Sequence, residues 1–426
     1  MAREYKDSGI EWIGQIPKEW EVNKINRLFG TIGSGTTPTS TDNDAYIGQI
    51  NWIQSGDLNG GVLRGVKNRI SEDTLSKYSA LTVYKSPFII IAMYGASVGN
   101  ISISTIDGCC NQACCVLCKS NINFKYAFYT IKSSQRYLVY KAVGGGQPNI
   151  SQNTLKHLWI PVPNLQEQQK IADYLDKVCG EVDEMVTLQE TMIEELKAYK
   201  QSVITEAVTK GLNPNVPMKD SGIDWIGEVP EHWEIRRIKN LFTLRDEKNY
   251  KPMDEVQLLS LYTGIGVFPH GEQEERGNKA ITVEGYKVVH KDDIVVNIIL
   301  AWMGAIGVSN YDGVTSPAYD VYIPDLSKVI PHFFHYVFRT QGIAGECYKY
   351  GRGIMMMRWR TYSSEFKQIR VPYPSLKEQQ SIASYLDTKC AEIDALIAIK
   401  QSKIEELKEY KKSVIYEYVT GKKEVV

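Results

Sequence analysis

Five cysteines lie within ten residues of the chain: Cys109, Cys110, Cys114, Cys115 and Cys118. Thiolates at this density can hold zinc or an iron–sulfur cluster. The spacing lacks paired Cys-x-x-Cys knuckles, however, and adjacent cysteines on a strand point to opposite faces. The matching positions in the second half of the chain carry no thiol: they are Val314, Thr315, Tyr319, Asp320 and Ile323. We therefore favour buried, reduced cysteines that pack as small apolar side chains over a metal site.

Other catalytic patterns are missing from the sequence. It contains no Gly-x-x-x-x-Gly-Lys-Ser/Thr phosphate loop, and the glycine-rich stretch 33–38 has no lysine. It also lacks the Asn-Pro-Pro-Tyr or Asp-Pro-Pro-Tyr motif of an amino-methyltransferase, and its six histidines suggest no catalytic arrangement. We therefore expect no catalytic residues, no metal and no cofactor in this chain.

Side chains suited to nucleic acids are grouped at a few points instead. Arg64, Lys67 and Arg69 lie within six residues, and Arg358 and Arg360 lie two residues apart. Arginine pairs with guanine and Asn or Gln with adenine in the major groove, whereas lysines and glycine loops contact phosphates. A solvated loop side chain is the alternative for each of these residues.

The elements that must position these groups occur twice. Residues 161–210 return as residues 372–421, at a constant offset of 211. Both copies begin Pro-x-Pro-x-Leu-x-Glu-Gln-Gln-x-Ile-Ala and repeat Ile-Glu-Glu-Leu-Lys later. The prolines favour an extended entry, and no proline interrupts the residues that follow. Each copy predicts a long helix, and two copies indicate a duplicated domain pair.

Apolar residues along the first predicted helix recur at alternating steps of four and three, which is typical of a coiled coil. The predicted seam contains Ile171, Leu175, Val178, Val182, Met185, Met192, Leu196, Tyr199 and Val203. Gln189 is a polar seam position, and its counterpart is Lys400. Polar seam residues tend to fix register and partner. We expect the two helices to pair as a rigid spacer; separate packing within one core is the alternative.

Each long helix follows a segment with a repeated entry of its own. Residues 7–21 return as residues 220–234, in the form Asp-Ser-Gly-Ile-x-Trp-Ile-Gly-x-x-Pro-x-x-Trp-Glu. We expect the two tryptophans of each copy to pin the entry onto its domain. A surface site formed by these aromatic side chains is the alternative.

Between entry and helix the two copies diverge. Residues 30–160 and 243–371 are rich in Gly, Ser, Thr, Tyr, Asn and β-branched residues, and the short apolar runs at 88–91 and 293–297 are typical of strands. We also predict helices over 124–140 and 331–340.

Together these patterns indicate a mixed α/β (α+β) fold with an internal pseudo-two-fold repeat. The expected domains are a strand-rich domain at 1–164, a helix at 165–210, a second strand-rich domain at 211–374 and a second helix at 375–426.

The composition is ordinary for a soluble globular protein, with 43% hydrophobic residues and a net charge of −1. No stretch approaches the length of a membrane span, and the N-terminus has no apolar signal core, so we expect a cytoplasmic protein. Residues 1–164 carry 16 Lys and Arg against 11 Asp and Glu, whereas residues 165–210 carry 5 against 10. Any nucleic-acid surface must therefore lie in the segments between the helices.

The repeated entry, the shared helix start and the two long helices together resemble the specificity subunits of type I restriction–modification enzymes. The resemblance covers the whole chain, in the order recognition domain, helix, recognition domain, helix. It implies that each divergent domain recognises one half of a split, asymmetric site in double-stranded DNA. It further implies that the helices pair antiparallel and set the gap between the halves.

The resemblance also implies partners. Two methyltransferase (modification) subunits would dock on the helix flanks, and restriction/translocase subunits would join through the complex. Methyl transfer and DNA cleavage would belong to those partners, which leaves this chain without a catalytic role.

The family's DNA contacts lie in loops that vary, so the resemblance fixes no individual residue. The candidates in the first domain are Thr36, Thr37, Gln54, Ser55, Arg64, Lys67, Arg69, Tyr94, Gln112, Gln147, Asn149 and Ser151. The candidates in the second domain are Tyr262, Thr263, Arg276, Trp302, Arg352, Arg358 and Arg360.

Two other hypotheses make different predictions. A coiled-coil scaffold with two protein-binding domains and no DNA role would bind its partners regardless of salt, whereas phosphate contacts make DNA binding fall steeply with salt. A bifunctional enzyme with a cysteine site at 109–118 would lose activity when those cysteines are replaced by serine.

Overall fold

The computed structural model describes residues 3–39, 43–95, 97–142, 149–263, 265–271, 282–353 and 359–425. The chain divides into two compact units. Unit 1 contains Met1–Gln189 and Ser402–Val426, and unit 2 contains Glu190–Gln401. Both boundaries fall inside a long helix, so each unit combines one strand-rich segment with parts of both helices.

The first half of the chain contains short strands and helices and ends in the first long helix. Its strands are β1 (Tyr5–Asp7), β2 (Gln15–Pro17), β3 (Glu21–Lys24), β4 (Phe29–Gly33), β5 (Ile50–Ile53), β6 (Val62–Leu63), β7 (Arg69–Ile70), β8 (Phe88–Ala92), β9 (Ile101–Ser104), β10 (Cys109–Cys110), β11 (Cys114–Ser120) and β12 (Trp159–Val162). Its helices are α1 (Ile25–Leu28), α2 (Glu72–Lys77), α3 (Phe124–Ser133), α4 (Gln135–Tyr140), α5 (Gln152–Lys156) and α6 (Leu165–Lys210), and 3-10 turns cover Asn43–Tyr46 and Ser55–Asp57.

The second half of the chain repeats this plan and ends in the second long helix. Its strands are β13 (Met218–Asp220), β14 (Glu228–Pro230), β15 (Glu234–Arg237), β16 (Phe242–Leu244), β17 (Leu259–Tyr262), β18 (Gly266–Pro269), β19 (Lys287–Val289), β20 (Ile294–Asn297), β21 (Ile306–Val308), β22 (Gly313–Thr315), β23 (Tyr319–Pro324) and β24 (Arg370–Tyr373). Its helices are α7 (Pro331–Phe338), α8 (Gln341–Tyr350), α9 (Ser363–Phe366) and α10 (Leu376–Val419), with 3-10 turns at Ile238–Asn240, Met253–Glu255 and Ala301–Met303.

The two units share a central antiparallel arrangement. In unit 1 the strand order is β4-β11-β8-β9, extended by β6, and in unit 2 it is β16-β23-β20-β21. The β8 strand is rich in isoleucine and buried along its whole length, because helices and loops cover both of its faces. The prediction of a mixed α/β fold repeated twice is confirmed.

The cysteine-rich stretch forms β10 and the start of β11, and all five of its cysteines are buried. Cys114 packs in one apolar cluster and Cys115 in another, on the opposite side of the strand. Burial raises the pKa of the Cys109 thiol to about 11 and of the Cys114 and Cys115 thiols to about 12. The prediction of buried thiols, rather than exposed thiolates, is confirmed at these positions.

The predicted helix over 124–140 is wrong in one respect, because Ser134 divides it into α3 and α4. The Ser134 hydroxyl donates to the carbonyl oxygen of Ile131 at 2.7 Å, which closes the end of α3. A serine that bonds to its own helix backbone favours such ends.

The long helices run antiparallel within each unit. In unit 1 the Tyr174 and Tyr418 rings lie 4.4 Å apart, and the Lys411 ammonium donates to the Asp183 carboxylate at 2.6 Å. In unit 2 Lys200 donates to Asp394 at 2.7 Å. These ion pairs are exposed on their acidic side and contribute little, so the apolar seam between the helices supplies most of the pairing energy.

The seam itself differs from the predicted one at every second position. Cys179 and Ile193 are buried where Val178 and Met192 were expected, and Met185 is 51% exposed beside the half-buried Val186. The predicted positions Leu175, Val182 and Val203 are buried. Either neighbour satisfies an apolar pattern, and the more compact side chains occupy the closely packed interface between the helices.

The repeated motifs meet at the start of each long helix. Trp20 Nε1 donates to Oε2 of Glu167 at 2.9 Å, and Trp233 Nε1 donates to Oε1 of Glu378 at 3.0 Å. Trp20 and Trp233 are 1% exposed, and Trp12 and Trp225, the other tryptophan of each copy, are half-buried against the same apolar cores. The prediction that the two tryptophans of each copy pin the entry onto its domain is therefore confirmed. Although burial acts to raise it, hydrogen bonds from Trp233, His232 and Ser375 lower the pKa of Glu378 to about 2.

The glutamine after each of these glutamates is buried and joins the long helix to its domain. Gln168 accepts from the backbone N of Asn123 at 2.7 Å and donates to the carbonyl of Pro163 at 2.6 Å. Gln379 accepts from the backbone N of Ile330 at 2.8 Å and donates to the carbonyl of Pro374 at 2.9 Å. The Glu-Gln pair is therefore repeated because it performs the same structural task in both units.

Replacing Gln379 with alanine is expected to lower the free energy of unfolding by about 2–4 kcal/mol, because two buried backbone groups lose their partner. Chemical denaturation of the full chain measures this. The matched control is Gln380→Ala, which removes an exposed amide and is expected to change stability by less than about 0.5 kcal/mol. Equal stabilities of the two variants would contradict the role assigned to Gln379.

Within the described ranges, no helix carries an apolar run long enough to cross a membrane.

Candidate nucleic-acid interface

Several candidate residues of unit 1 follow strand ends that meet at one edge. Strands β5 and β10 are parallel, with Ile53 opposite Cys110, so the backbone leaves both strands at the same edge of their sheet. Gln54 and Gln112 follow these two strand ends. The hydroxyl of Thr37, which comes from the segment after β4, contacts Oε1 of Gln112.

Strand β8 belongs to the five-stranded sheet, and it ends close to Gln112. Met93 donates its backbone N–H to the carbonyl of Ala113 at 2.7 Å and accepts from the backbone N of Ile150 at 2.7 Å. Tyr94 then forms an antiparallel bridge with Asn149. We call the residues gathered here the first polar edge: Thr36, Thr37, Gln54, Ser55, Tyr94, Gln112 and Asn149.

Parts of this edge are held by bonds within unit 1. The Gln54 amide oxygen accepts from Asn68 Nδ2 at 2.8 Å, and the Thr36 carbonyl accepts from Trp52 Nε1 at 3.2 Å. Thr37, Gln112 and Asn149 are exposed. The edge therefore offers amides and hydroxyls on a fixed backbone, which suits hydrogen bonding to base edges.

The three candidate cations of the first domain, Arg64, Lys67 and Arg69, do not cluster. Lys67 adjoins Asn68 and so lies near Gln54. Arg64 follows β6, whose Leu63 is opposite Ser104; Ser104 is in turn opposite Phe88, at the far end of β8 from Tyr94. Arg69 is exposed on β7, and its guanidinium donates to Oε1 of Gln49 at 3.4 Å.

Ser151 has a structural task. It caps α5, and its Oγ accepts from the backbone N of Thr154 at 2.9 Å. The cap positions the segment that carries Asn149, two residues earlier.

In unit 2 the candidates gather around a hairpin and a 3-10 turn. Tyr262 pairs with Gly266 at the tip of the β17–β18 hairpin. A Cβ on Gly307 would lie 3.3 Å from the Gly266 Cα, so the hairpin packs closely on β21. Thr263 and Met303 line one cavity of about 610 Å³.

Aromatic rings and arginines complete this second group. The Tyr348 ring lies 6.0 Å from Trp302 and stacks on Trp359 at 5.1 Å. Arg352 and Arg360 exchange two backbone hydrogen bonds of 2.9 Å. We call this set the second polar edge: Tyr262, Thr263, Trp302, Arg352 and Arg360.

Three candidates, Gln147, Arg276 and Arg358, lie outside the described residues. Sequence reasoning did not select Tyr348, because nothing local marks it. Only the long-range packing of α8 on the 3-10 turn Ala301–Met303 places its ring beside Trp302.

A repeated polar cluster ties each strand-rich segment to the long helices. The Tyr129 hydroxyl donates to Asp176 Oδ1 at 2.8 Å, and the Tyr336 hydroxyl donates to Asp387 Oδ1 at 2.7 Å. Both aspartates lie on the long helices, eleven residues after the first residue of each.

A cation follows each of these tyrosines by three residues. Lys132 donates to the carbonyl of Gly60, and burial together with the nearby Lys411 ammonium lowers the pKa of Lys132 to about 8. Arg339 donates to Nε2 of His335 at 2.8 Å, and burial is the main cause that lowers the pKa of His335 to about 3. His335 is therefore a neutral acceptor at physiological pH.

No three His, Cys, Asp or Glu side chains gather into a metal-binding group within the part of the chain that the structure describes. Both edges offer hydrogen-bonding groups and aromatic rings, and the second edge also offers a guanidinium.

Comparisons with a family model and with known proteins identify the same family. The type I restriction modification DNA specificity domain matches residues 17–198 and again residues 230–409. A Methanocaldococcus jannaschii protein, provisionally named the type I restriction enzyme MjaX specificity subunit, is 27% identical over 96% of this chain and 95% of its own. The type I restriction enzyme MjaVIII specificity subunit of the same organism is 23% identical, covering 96% of this chain and 94% of its own.

A solved structure has the same fold. It comes from work on complex assembly and conformational transition of the type I R-M system, and it matches with a TM-score of 0.69 at 16% identity, covering 95% of this chain and 98% of that one. The two domain matches together span most of the sequence and coincide with the two halves of the repeat. The chain therefore belongs to the family of type I restriction–modification specificity subunits and carries the family's DNA specificity domain twice.

Proposed function

We propose that this chain selects the DNA site of a type I restriction–modification complex, with each recognition domain reading one half of a bipartite, asymmetric sequence. The first domain would use the first polar edge and the second domain the second polar edge. We assign residues 1–164 and 211–374 to these two domains. The long helix between them is assigned to residues 165–210, and the one after them to residues 375–426.

One observation carries the proposal. Residues kept in both copies, such as Trp20 and Trp233, hold the frame, while the residues at the polar edges differ between copies. A shared scaffold that carries different polar edges in its two copies suits a protein that recognises two different DNA sequences in the same manner. Direct readout needs such side chains, since each base pair presents its own pattern of donors and acceptors in the major groove.

The antiparallel long helices would set the gap between the two half-sites. The helices carry exposed apolar side chains such as Met185, Leu188 and Leu396, which suit burial against a partner protein. We place two methyltransferase subunits there, and restriction/translocase subunits join through the complex. Work on chromosomal DNA would place the chain in the cytoplasm.

The chain itself would perform no chemistry. Methyl transfer and ATP-driven cleavage would belong to the partner subunits, and the chain would need no cofactor of its own. Its contribution is binding energy that differs between the right and the wrong sequence.

The test is methylation mapping in cells that express this chain with its cognate methyltransferase subunit. We expect methylated adenines in both halves of a split motif, because both recognition domains must bind before the complex acts. Cells that express the methyltransferase subunit alone are the control. If a functional partner gives no methylation with this chain present, the proposal is wrong and a scaffold role becomes the better explanation.

A further inference from the structure

Each polar edge contains the same backbone arrangement. In unit 1 Met93 donates to the Ala113 carbonyl at 2.7 Å and accepts from the backbone N of Ile150 at 2.7 Å. In unit 2 Ile298 donates to the Ala318 carbonyl at 3.2 Å and accepts from the backbone N of Thr361 at 2.8 Å. Ile150 and Thr361 therefore occupy equivalent positions, just beyond the ends of the equivalent strands β8 and β20.

The register of this equivalence extends without a gap into the repeated helices. Ile150 and Thr361 are 211 residues apart, as are the first residues of β12 and β24 and those of α6 and α10. Ile150 and Thr361 are both fully buried. The residues that immediately precede them, Asn149 and Arg360, are thus fixed at one equivalent position by the fold.

Both residues are exposed, and both adjoin the other members of their edge. Asn149 bridges Tyr94, and Arg360 bridges Arg352. The Arg352 guanidinium already pairs with a carboxylate, that of Glu365, at 2.7 Å. Among the described residues, the Arg360 guanidinium has no carboxylate within ion-pair distance, which leaves its donors available.

We infer that Asn149 and Arg360 are equivalent specificity-determining residues, with Asn149 reading an adenine in the first half-site and Arg360 reading a guanine in the second. The inference rests on the proposed function and names two side chains that read particular bases. An asparagine amide matches the N6 donor and N7 acceptor of adenine, and a guanidinium matches the O6 and N7 acceptors of guanine. One position of a duplicated fold would then read different bases through its side chain alone.

The alternative role for an exposed arginine is a phosphate contact. A substitution that keeps the positive charge but removes the guanidinium distinguishes this role from guanine recognition. A phosphate contact needs mainly the positive charge, which Arg360→Lys keeps, whereas fork-shaped pairing with guanine needs the guanidinium. The experiment is methylation mapping of the full chain with its cognate methyltransferase subunit, comparing the unmodified chain with Arg360→Ala, Arg360→Lys and Asn149→Ala.

We expect Arg360→Ala to relax the motif at a single G·C position of the second half-site, with about a 5- to 150-fold loss of discrimination there. Arg360→Lys should not restore it. Asn149→Ala should relax a single A·T position of the first half-site and leave the second half unchanged. The matched control is Arg237→Ala, which removes an exposed arginine on β15 and should leave the motif intact.

Other outcomes overturn the inference in distinct ways. If Arg360→Ala lowers methylation equally at all sites and Arg360→Lys restores it, Arg360 is a phosphate contact. If the unmodified chain gives a split motif and the variants give the same motif at the same strength, the residue assignment is wrong while the proposed function stands. If the unmodified chain gives no split motif, both fail together.

Discussion

A chain in which residues 30–160 come from a relative with a different site is expected to methylate a motif that differs in one half only. The reason is that every residue of the first polar edge lies in this segment, whereas the frame residues Trp20 and Glu167 lie outside it. Methylation mapping of the exchanged chain with the same methyltransferase subunit provides the measurement. We expect the exchanged half-site to change completely and the other half to keep every base.

The structure specifies which residues of the segment must be kept for the exchange to fold. Asn123, Tyr126 and Tyr129 belong to the exchanged range but bind the long helices or the strand that precedes α6. Grafting these three residues back preserves their contacts with the frame. The reciprocal exchange of residues 243–371 serves as the control and should alter only the other half. A change in both halves, or in neither, would show that the domains do not recognise DNA independently.

The duplication explains why much of the frame could be predicted. Trp20 and Trp233 are found in the same local sequence, and a side chain retained in two copies while its surroundings diverge points to a contact within the frame. The structure supplies that contact in Glu167 and Glu378, which lie in the other repeated motif. The sequence showed two separate repeats, and only the fold shows that each motif binds the other.

The seam of the long helices shows the limit of periodicity. Val178 and Cys179 are both apolar, as are Met185 and Val186, so the pattern accepts two phases that differ by one residue at alternate positions. Burial at Cys179 and Ile193 selects one phase. The choice depends on which side chains fit between two closely packed helices, and that information is in the packing rather than in the hydropathy.

The polar edges could be predicted only in part, because non-local strand pairing places their members. Arg64 and Lys67 are three residues apart, yet Arg64 follows a strand end at the far edge of the sheet from Tyr94, while Lys67 adjoins the residue that binds Gln54. Spacing along the chain gave no means of separating them. The pairing of β6 with β9 and of β5 with β7 determines where Arg64 and Lys67 lie in the fold.

Inserting one heptad into both long helices is expected to widen the gap of the recognised site by about three base pairs and to leave both half-sites unchanged. Seven helical residues add about 10 Å, and base pairs are spaced about 3.4 Å apart. The insertions belong between Gln189 and Glu190 and between Gln401 and Ser402, where the boundary of the compact units crosses each helix. Seven residues preserve the alternation of four and three along the seam, so the helices can still pair.

The matched control inserts three residues at the same two points. Three residues shift the seam out of its heptad phase and locally overwind the helix pair, so this variant should methylate more weakly than the heptad variant, although it lengthens the helices less. Methylation mapping separates the outcomes, since a wider gap, an unchanged gap and weaker methylation are distinct results. A heptad variant that methylates with an unchanged gap would mean that the helices do not measure the distance between half-sites, and another part of the complex would then have to set it.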